Sequence, residues 1–217
     1  SVSLVANVDA LTRDPDNLLL SRGPRTRLLA EQIRDSALAA SGLLNRTIGG
    51  PSVKPWQPPG VWSEAGASGG DYVPDTGEGL YRRSLYTYRK RTAPPPSLIT
   101  LDAGSREICQ ARRLTTNTPL QPLIFLNDMS FFECARKLAD RCVAEVPGDA
   151  AKQRERAFVI LAGRAPRPAE RAAIDELHAP QQAEYEQDLP AARSVCGKED
   201  PSLAALVVVC STLLTSD

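Results

Sequence analysis

The sequence has few of the residues that catalysis and metal binding use, with a single histidine and a single methionine in 217 residues. Its 26 basic and 26 acidic side chains cancel, so nothing attracts nucleic acid or anionic lipid globally, and we expect no nucleic-acid partner. No run approaches the roughly 18 apolar residues of a membrane span, which predicts no transmembrane segment. Any electrostatic partner must therefore be recruited by a local surface.

The missing C-x-x-C-H motif argues against covalent haem attachment, and we expect no cofactor and no metal in this chain. His178 lies on a polar predicted helix, which favours a surface position over a ligand role. Asp71, Asp75 and Glu78 could offer oxygens to calcium, but they lack the regular spacing of a calcium loop. Metal chemistry is therefore weakly supported.

Five cysteines make an odd count, so at least one thiol is left over from any disulfides. Cys134 and Cys142 lie on one predicted helix, about 12 Å apart along its axis, too far for a bond to each other. Cys210 falls in an apolar helical pattern and should be a core residue. Cys109 is flanked by arginines that could lower its thiol pKa, yet burial in the core is the favoured interpretation because no catalytic base is nearby in sequence.

The composition changes near residue 117, from rich in glycine and proline to helical in pattern. We expect one domain over residues 1–217 with a loop-rich half (1–117) and a helical half (118–217). The first half should contain one helix from Pro24 to Ala40, stopped by Gly42. A long ordered loop should follow from Ile48 to Gly79, fixed by Trp56 and Trp62 and most mobile at residues 66–70. Alternation predicts a strand over residues 80–91, and residues 97–101 could form a second.

Capping patterns in the helical half predict where its helices begin. Thr118 with Gln121, and Ser130 with Glu133, each form a predicted capping box that starts a helix, the second running to about Val146. Three more helices are predicted over residues 151–161, over residues 168–185 and from residue 201 onwards, of which the middle one is polar and peripheral. The expected buried positions of the second and last helices are Phe131, Ala135, Leu138, Ala139, Cys142, Val143, Leu203, Leu206, Val207, Cys210, Leu213 and Leu214. The predicted fold class is mainly α, a helical domain with a long Pro/Gly-rich loop layer and at most a small β-sheet.

The segment YRRSLYTYRKR, residues 81–91, is the best candidate for a binding surface. Guanidinium groups interleaved with tyrosine rings could hold an anionic polymer, although the same arginines could instead tie the loops to the helices internally. In a strand, Arg83 would face inward, buried and paired, while Arg82 would be accessible. The candidate ligand-binding residues are Arg82, Arg83, Tyr86, Tyr88, Arg89, Asp102, Cys109 and Arg112.

Four segments carry a family resemblance: GGPSV (49–53), YRRSLYT (81–87), KRTAPPPSL (90–98) and TNTPLQPLIFLND (116–128). They resemble the planctomycete-specific C-terminal domain of unknown function found in cytochrome-c-associated surface proteins, over residues 14–214. The resemblance implies a C-terminal part of an exported multidomain protein in an extracytoplasmic location, with haem confined to upstream domains. No catalytic residue is established for that family, so none is carried over.

Two functions remain open at this point. The first is an accessory or binding module that contacts upstream domains of the same protein or an anionic polysaccharide. The second is part of an extracytoplasmic hydrolase acting on polysaccharide or peptide, completed by an upstream domain, for which Asp102 and Glu107 are conceivable carboxylates. The start at Ser1 without a methionine or an apolar signal core predicts that the chain belongs to a longer protein.

Overall fold

The computed structural model of the chain describes residues 8–20, 27–66, 70–104, 111 and 113–215. These residues form ten α-helices and no β-strand, with three isolated bridges in the loops. The mainly α class is therefore confirmed. Within the described part, no helix combines the length and apolar character that crossing a bilayer requires.

The helices follow one another along the chain, and the longest are in the second half. Their bounds are α1 Val8–Arg13, α2 Ala30–Ser41, α3 Val61–Glu64, α4 Pro96–Thr100, α5 Leu120–Asn127, α6 Met129–Glu145, α7 Ala150–Ala162, α8 Pro168–Gln187, α9 Leu189–Cys196 and α10 Pro201–Thr215. We call residues 43–66 and 70–104 the loop layer; it contains α3, α4 and two short 3₁₀ helices, Gly77–Tyr81 and Ser84–Tyr86.

Helix α6 joins two apolar clusters. Near its start, Phe131 and Cys134 lie against α2, α4 and α5, with Phe125 edge-on to Phe131 at 4.8 Å between ring centroids. Further along, Leu138 and Cys142 belong to a cluster shared with α7, α9 and α10. The predicted buried face is confirmed except at Val143, which is 36% exposed.

Helix α10 is apolar around most of its circumference, and its neighbours cover it on several sides. Leu206, Val207 and Cys210 are almost completely buried, whereas Leu213 and Leu214 are half-buried. Helices α6, α7, α8 and α9 all contact it. Because an all-round apolar helix must be enclosed, the second half of the chain is organised around α10.

The predictions for α8 and His178 are wrong. Helix α8 extends along α10 instead of lying at the periphery, and His178 is only 5% exposed. Burial and the nearby guanidinium of Arg154 lower the pKa of His178, while the backbone of Ser202 and the carboxylate of Asp175 act in the opposite direction. Most residues of α8 are exposed and many are polar, so the sequence pattern did not reveal the few positions that pack against α10.

The helix starts at residues 120 and 129 are close to the prediction, but their caps differ from it. In α5, Gln121 Oε1 accepts from the Thr118 N–H at 3.3 Å, and the Thr118 hydroxyl makes no capping bond. Helix α6 is capped by Asp128, whose Oδ1 accepts from the Ser130 N–H at 2.8 Å. The predicted cap at Ser130 is therefore wrong, because that residue already lies within the helix.

Other boundaries shift as well. Helix α2 begins at Ala30, since residues 27–29 are not helical, and it ends as predicted at Gly42, whose φ of 80° suits a glycine cap. Helices α1, α3, α4 and α9 were not predicted. Trp62 is buried as expected for an ordered loop and Trp56 is half-buried, while residues 67–69 of the predicted mobile tip lie outside the described residues.

Both predicted strands are wrong. Residues 80–91 contain parts of the two 3₁₀ helices and isolated bridges at Arg82, Thr87 and Lys90, and residues 97–101 fall mainly in α4. The physical reason is that the carbonyls of Leu80 and Arg82 are bonded by the side chain of Arg34 on α2 instead of by a neighbouring strand. An alternating pattern without a partner strand does not make a sheet.

Four cysteines of the helical half, Cys134, Cys142, Cys196 and Cys210, are buried free thiols. The predictions that Cys134 and Cys142 are not bonded to each other and that Cys210 is a core residue are thus confirmed. Burial raises the pKa of the first two thiols to about 11 and raises that of Cys210 as well. Such thiols are unreactive while the helices stay closed.

Candidate functional site

Arg34 on α2 fixes the arginine–tyrosine segment to the helical core. Its Nη2 donates to the Leu80 carbonyl at 2.7 Å, and its Nη1 donates to the Arg82 carbonyl at 2.9 Å and to Ser84 Oγ at 3.2 Å. Asp35 Oδ1 accepts from the Ser84 N–H at 2.7 Å. The sequence analysis did not single out Arg34, although its buried position on an otherwise apolar helix face could have indicated it.

Arg82 lies inside a turn made by residues 47–51. Its guanidinium donates to the carbonyls of Pro51 at 2.9 Å, Thr47 at 3.3 Å and Gly49. Gly49 and Gly50 have φ angles of 82° and 83°, a conformation that glycine adopts without strain. Arg82 is 7% exposed and Arg83 is half-buried, so the predicted inward Arg83 and accessible Arg82 are reversed.

Tyr86 lies against both arginines. The Arg82 guanidinium carbon is 3.9 Å from the centre of its ring and the Arg83 carbon is 6.0 Å from it. Tyr86 Oη accepts from the Gly49 N–H at 2.8 Å. This hydrogen bond, together with Arg83 and Arg82, lowers the pKa of the Tyr86 phenol.

A second aromatic–cation cluster surrounds Lys54. Its Nζ is 5.4 Å from the Trp62 ring, 5.9 Å from Tyr72 and 5.8 Å from Tyr88. Lys90 Nζ is 4.1 Å from the Trp62 ring, and Trp62 meets Tyr72 edge-on at 5.1 Å between centroids. The cluster gathers two ammonium groups and three rings; Tyr88 was among the candidate ligand-binding residues, and Lys90 lies in the predicted binding segment 81–91.

Arg89 ties the loop layer to α2. It pairs with Glu31 at 2.8 Å and donates to the Gly104 carbonyl at 2.9 Å, while Arg113 reaches the other oxygen of Glu31 at 2.8 Å. The alternative of an internal arginine network therefore describes Arg89 well. Its side chain is almost wholly buried, which leaves it unsuited to contact a polymer.

Asp102 belongs to a different cluster. Its carboxylate accepts from the Thr116 N–H at 2.6 Å, from the Thr116 hydroxyl, and from Gln121 Nε2 at 3.2 Å. Burial would raise the Asp102 pKa, but these hydrogen bonds outweigh it and the pKa is lowered. The Asp102 carboxylate is bonded to Thr116 and Gln121, whereas Arg82 is bonded to the 47–51 turn, so these two described members of the predicted set have different partners. Cys109 and Arg112 lie outside the described residues.

No group of three or more His, Cys, Asp or Glu side chains suited to a metal occurs in the described part of the chain. Asp75 Oδ2 accepts from the Lys54 N–H at 2.7 Å and Glu78 from Asn45 Nδ2 at 3.2 Å, so these two acids serve the loop backbone and a side chain. A cavity of about 270 Å³ lies between α7 and α8, away from all these residues. Its lining charges pair with one another, as Arg154 does with Asp175 at 2.7 Å.

These features define an all-α fold that carries an arginine-tied loop layer in which cations lie against aromatic rings. The model of the PSD1 family, described as a protein of unknown function (DUF1553), matches residues 2–178. The chain therefore belongs to that family. No curated protein and no solved structure matches the chain significantly. The expected family of unknown function is confirmed at this level, while the planctomycete and cytochrome-c association remains a prediction.

Proposed function

We propose that the chain is an accessory C-terminal module of an exported, cytochrome-c-associated multidomain protein, and that its loop layer binds an anionic extracellular polysaccharide. One observation carries the binding proposal. The guanidinium groups of Arg82 and Arg83 both lie within 6.0 Å of the centre of the Tyr86 ring, and neither forms an ion pair with any carboxylate of the described residues.

The local charge of this region supports the proposal. Residues 45–91 contain seven Lys or Arg against four Asp or Glu, and because Arg89 is paired with Glu31 outside this range, two positive charges remain in excess in a chain whose net charge is zero. Arg46 and Arg91 are exposed, and Asp75 is engaged by the backbone of Lys54. A concentrated positive face on a neutral protein attracts an anionic polymer locally and in a salt-dependent manner.

The aromatic rings suit a polysaccharide. Tyr88 is exposed, lies 6.1 Å from Trp62 between centroids and is near Lys54, while Lys90 lies over the Trp62 ring. A ring face next to a cation offers a sugar both an apolar contact and a partner for its acidic group. Because Arg34 and Arg89 fix the underlying backbone, little conformational freedom is lost on binding.

The hydrolase alternative has less support. Asp102, its principal described carboxylate, is bonded to Thr116 and Gln121, and its lowered pKa favours a permanent carboxylate over a proton donor. Upstream domains of the same protein remain the proposed further partners, in an extracytoplasmic location that follows from the resemblance. Any haem would reside in those domains.

Binding to anionic and neutral polysaccharides tests the proposal, with dextran as the neutral control of the same backbone as dextran sulfate. The chain is titrated with dextran sulfate, with polygalacturonate and with neutral dextran at two salt concentrations. We expect binding to the two anionic polymers that weakens as salt rises, and none to dextran. Equal binding to dextran, or no binding to either polyanion at low salt, would contradict the proposal.

A charge-matched pair of variants locates the binding face. Arg83→Gln removes one charge from the loop layer, and Arg193→Gln removes one from the exposed surface of α9. The first should weaken polyanion binding about tenfold and the second should have little effect. Equal effects would show that only net charge matters.

A further inference from the structure

Two guanidinium groups approach Tyr86 without an anion to balance them. The carboxylates in this neighbourhood are engaged elsewhere, since Asp35 accepts from the Ser84 N–H and Glu78 from Asn45. Arg83 is half-buried, and a partly desolvated guanidinium gains most from an oxyanion that its fork can bind. No carboxylate therefore neutralises the positive charges of Arg82 and Arg83, and these charges would attract one bound anion.

The Tyr86 hydroxyl is arranged to donate to such a group. Its oxygen already accepts from the Gly49 N–H at 2.8 Å, so its own hydrogen must be directed away from Gly49. The residues packed against it, 47–51, contain no titratable side chain, and the charged groups that face it are Arg82 and Arg83. A neutral phenol here presents an O–H donor beside a guanidinium.

The arrangement is fixed and lies near the surface. Arg82 lies over the ring at 3.9 Å and bonds three carbonyls of the glycine turn, which holds both the ring and the Gly49 N–H in place. The neighbouring residues Ile48 and Leu85 are 81% and 62% exposed, so a ligand can approach from solvent. A site of this kind needs no rearrangement of the backbone.

We propose that Tyr86 and Arg83 form a subsite for a single oxyanion, the sulfate ester or carboxylate of an acidic sugar, with Arg82 holding the subsite in shape. This rests on the proposed function, because it names the group of the polymer that the loop layer recognises. The Tyr86 hydroxyl and the Arg83 guanidinium donate to the oxyanion.

The subsite makes a prediction that general electrostatic attraction does not. An oxyanion held against the hydroxyl opposes phenolate formation, so binding must raise the Tyr86 pKa. The phenolate absorbance of the wild-type chain minus that of Tyr86→Phe isolates this titration. Burial raises the pKa of Tyr72, Tyr81 and Tyr185, which separates those phenols from Tyr86.

The titration is run with inorganic sulfate against chloride at equal ionic strength, and with sulfated and uronate oligosaccharides. We expect each oxyanion that occupies the subsite to raise the Tyr86 pKa in the wild-type chain and in Arg91→Gln, and not in Arg83→Gln. The oligosaccharide that gives the larger rise identifies sulfate or carboxylate as the natural group. Tyr86→Phe, which keeps the ring under Arg82, should weaken oligosaccharide binding about tenfold.

The outcomes separate this inference from the proposed function. If the polyanions bind but Tyr86→Phe and Arg83→Gln bind them unchanged and no Tyr86 shift occurs, the subsite is wrong and the binding module stands. If the polymers do not bind but inorganic sulfate raises the Tyr86 pKa through Arg83, the oxyanion subsite stands and the polymer is wrong. A rise that persists in Arg83→Gln overturns the subsite.

Discussion

The helical half and the loop layer are stabilised in different ways. In the helical half, apolar side chains such as Leu138, Leu206 and Val207 are removed from water almost completely. In the loop layer, guanidinium groups bond backbone carbonyls and lie against rings. The buried polar side-chain atoms that lack a hydrogen-bond partner in the described residues, including those of Gln57 and Thr87, all lie in the loop layer.

This difference shows where each region is vulnerable. An apolar cluster is stabilised by many contacts, so hydrophobic substitutions that conserve side-chain volume are tolerated. A loop layer held by a few guanidinium groups depends on single side chains whose removal leaves several carbonyls without a partner. We therefore expect a replacement of similar volume to preserve stability in the helical half. In the loop layer, a replacement that keeps only the positive charge should not.

Leu138→Ala should give the largest loss, because this fully buried side chain lies where α6 meets α10. Leaving a cavity there should reduce the free energy of unfolding by about 3–5 kcal/mol, measured by chemical denaturation. Leu138→Met, which nearly conserves volume, should cost under about 1.5 kcal/mol. A loss of under 1 kcal/mol for the alanine variant would show that this core is loosely packed.

Arg34→Ala should follow, at about 3 kcal/mol, because it removes three of the hydrogen bonds that hold the loop layer to α2. Arg34→Lys keeps the charge but not the fork, so it should recover less than half of the loss. Hydrogen exchange should show the loss mainly in residues 77–91. Full rescue by lysine would mean that charge, and not the three bonds, anchors the layer.

Arg82→Ala should cost about 1.5–3 kcal/mol, since the exposed turn carbonyls that it bonds can be solvated in part. Arg83→Ala should cost under about 1 kcal/mol, because Arg83 has no ion pair to lose. The comparison uses denaturation midpoints with equal slopes. Equal losses for the two variants would contradict the division between a structural Arg82 and a ligand-binding Arg83.

The caps should give a smaller contrast within the helical half. Asp128→Ala removes the acceptor for the Ser130 N–H and should cost about 0.5–2 kcal/mol, whereas Thr118→Ala should cost under about 0.5 kcal/mol. Thermal unfolding of the two variants checks this order. Ser130→Ala, a control within α6, should resemble Thr118→Ala, and a larger effect at Ser130 would restore the cap that the sequence predicted.

His178 should give the smallest effect, and only in acid. Because burial and Arg154 lower its folded pKa, the unfolded chain takes up the proton first as pH falls below about 6.5. The stability contributed by neutral His178 is thus complete above that pH and is lost as pH falls through the folded pKa. His178→Gln lacks this loss, so its pH profile between about 5 and 7 should be flatter than that of the wild type.

The parts of the fold that could be predicted are those where pattern and packing agree. The apolar periodicity of α6 and α10 gave their buried faces, and Gly42 ended α2 as expected. Helix α9 was missed although Asp188 and Gly197 cap its two ends. Its eight residues are too short for periodicity alone to distinguish a helix from a loop.

The candidate site was only partly predictable. Its central residues, Arg82, Arg83 and Tyr86, were all among the predicted candidates, but Arg83 was placed on the opposite face from the other two, because the orientation was inferred from a strand that does not form. The partners that determine the true orientation, Arg34 and Gly49, are distant in sequence. No local pattern encodes that a helix arginine takes the carbonyls of a segment 46 to 48 residues further along the chain.

The buried thiols make chemical labelling report on the helices and not on the loop layer. Cys142 and Cys210 can be alkylated only when α6 and α10 separate, so the rate of modification measures the opening of that interface. The loop layer contains no cysteine and is silent in the same experiment. Within the described residues the cysteines all lie in helices, so labelling of Cys142 and Cys210 is an intrinsic kinetic probe of that interface, and a variant that loosens only the loop layer should leave their labelling rate unchanged.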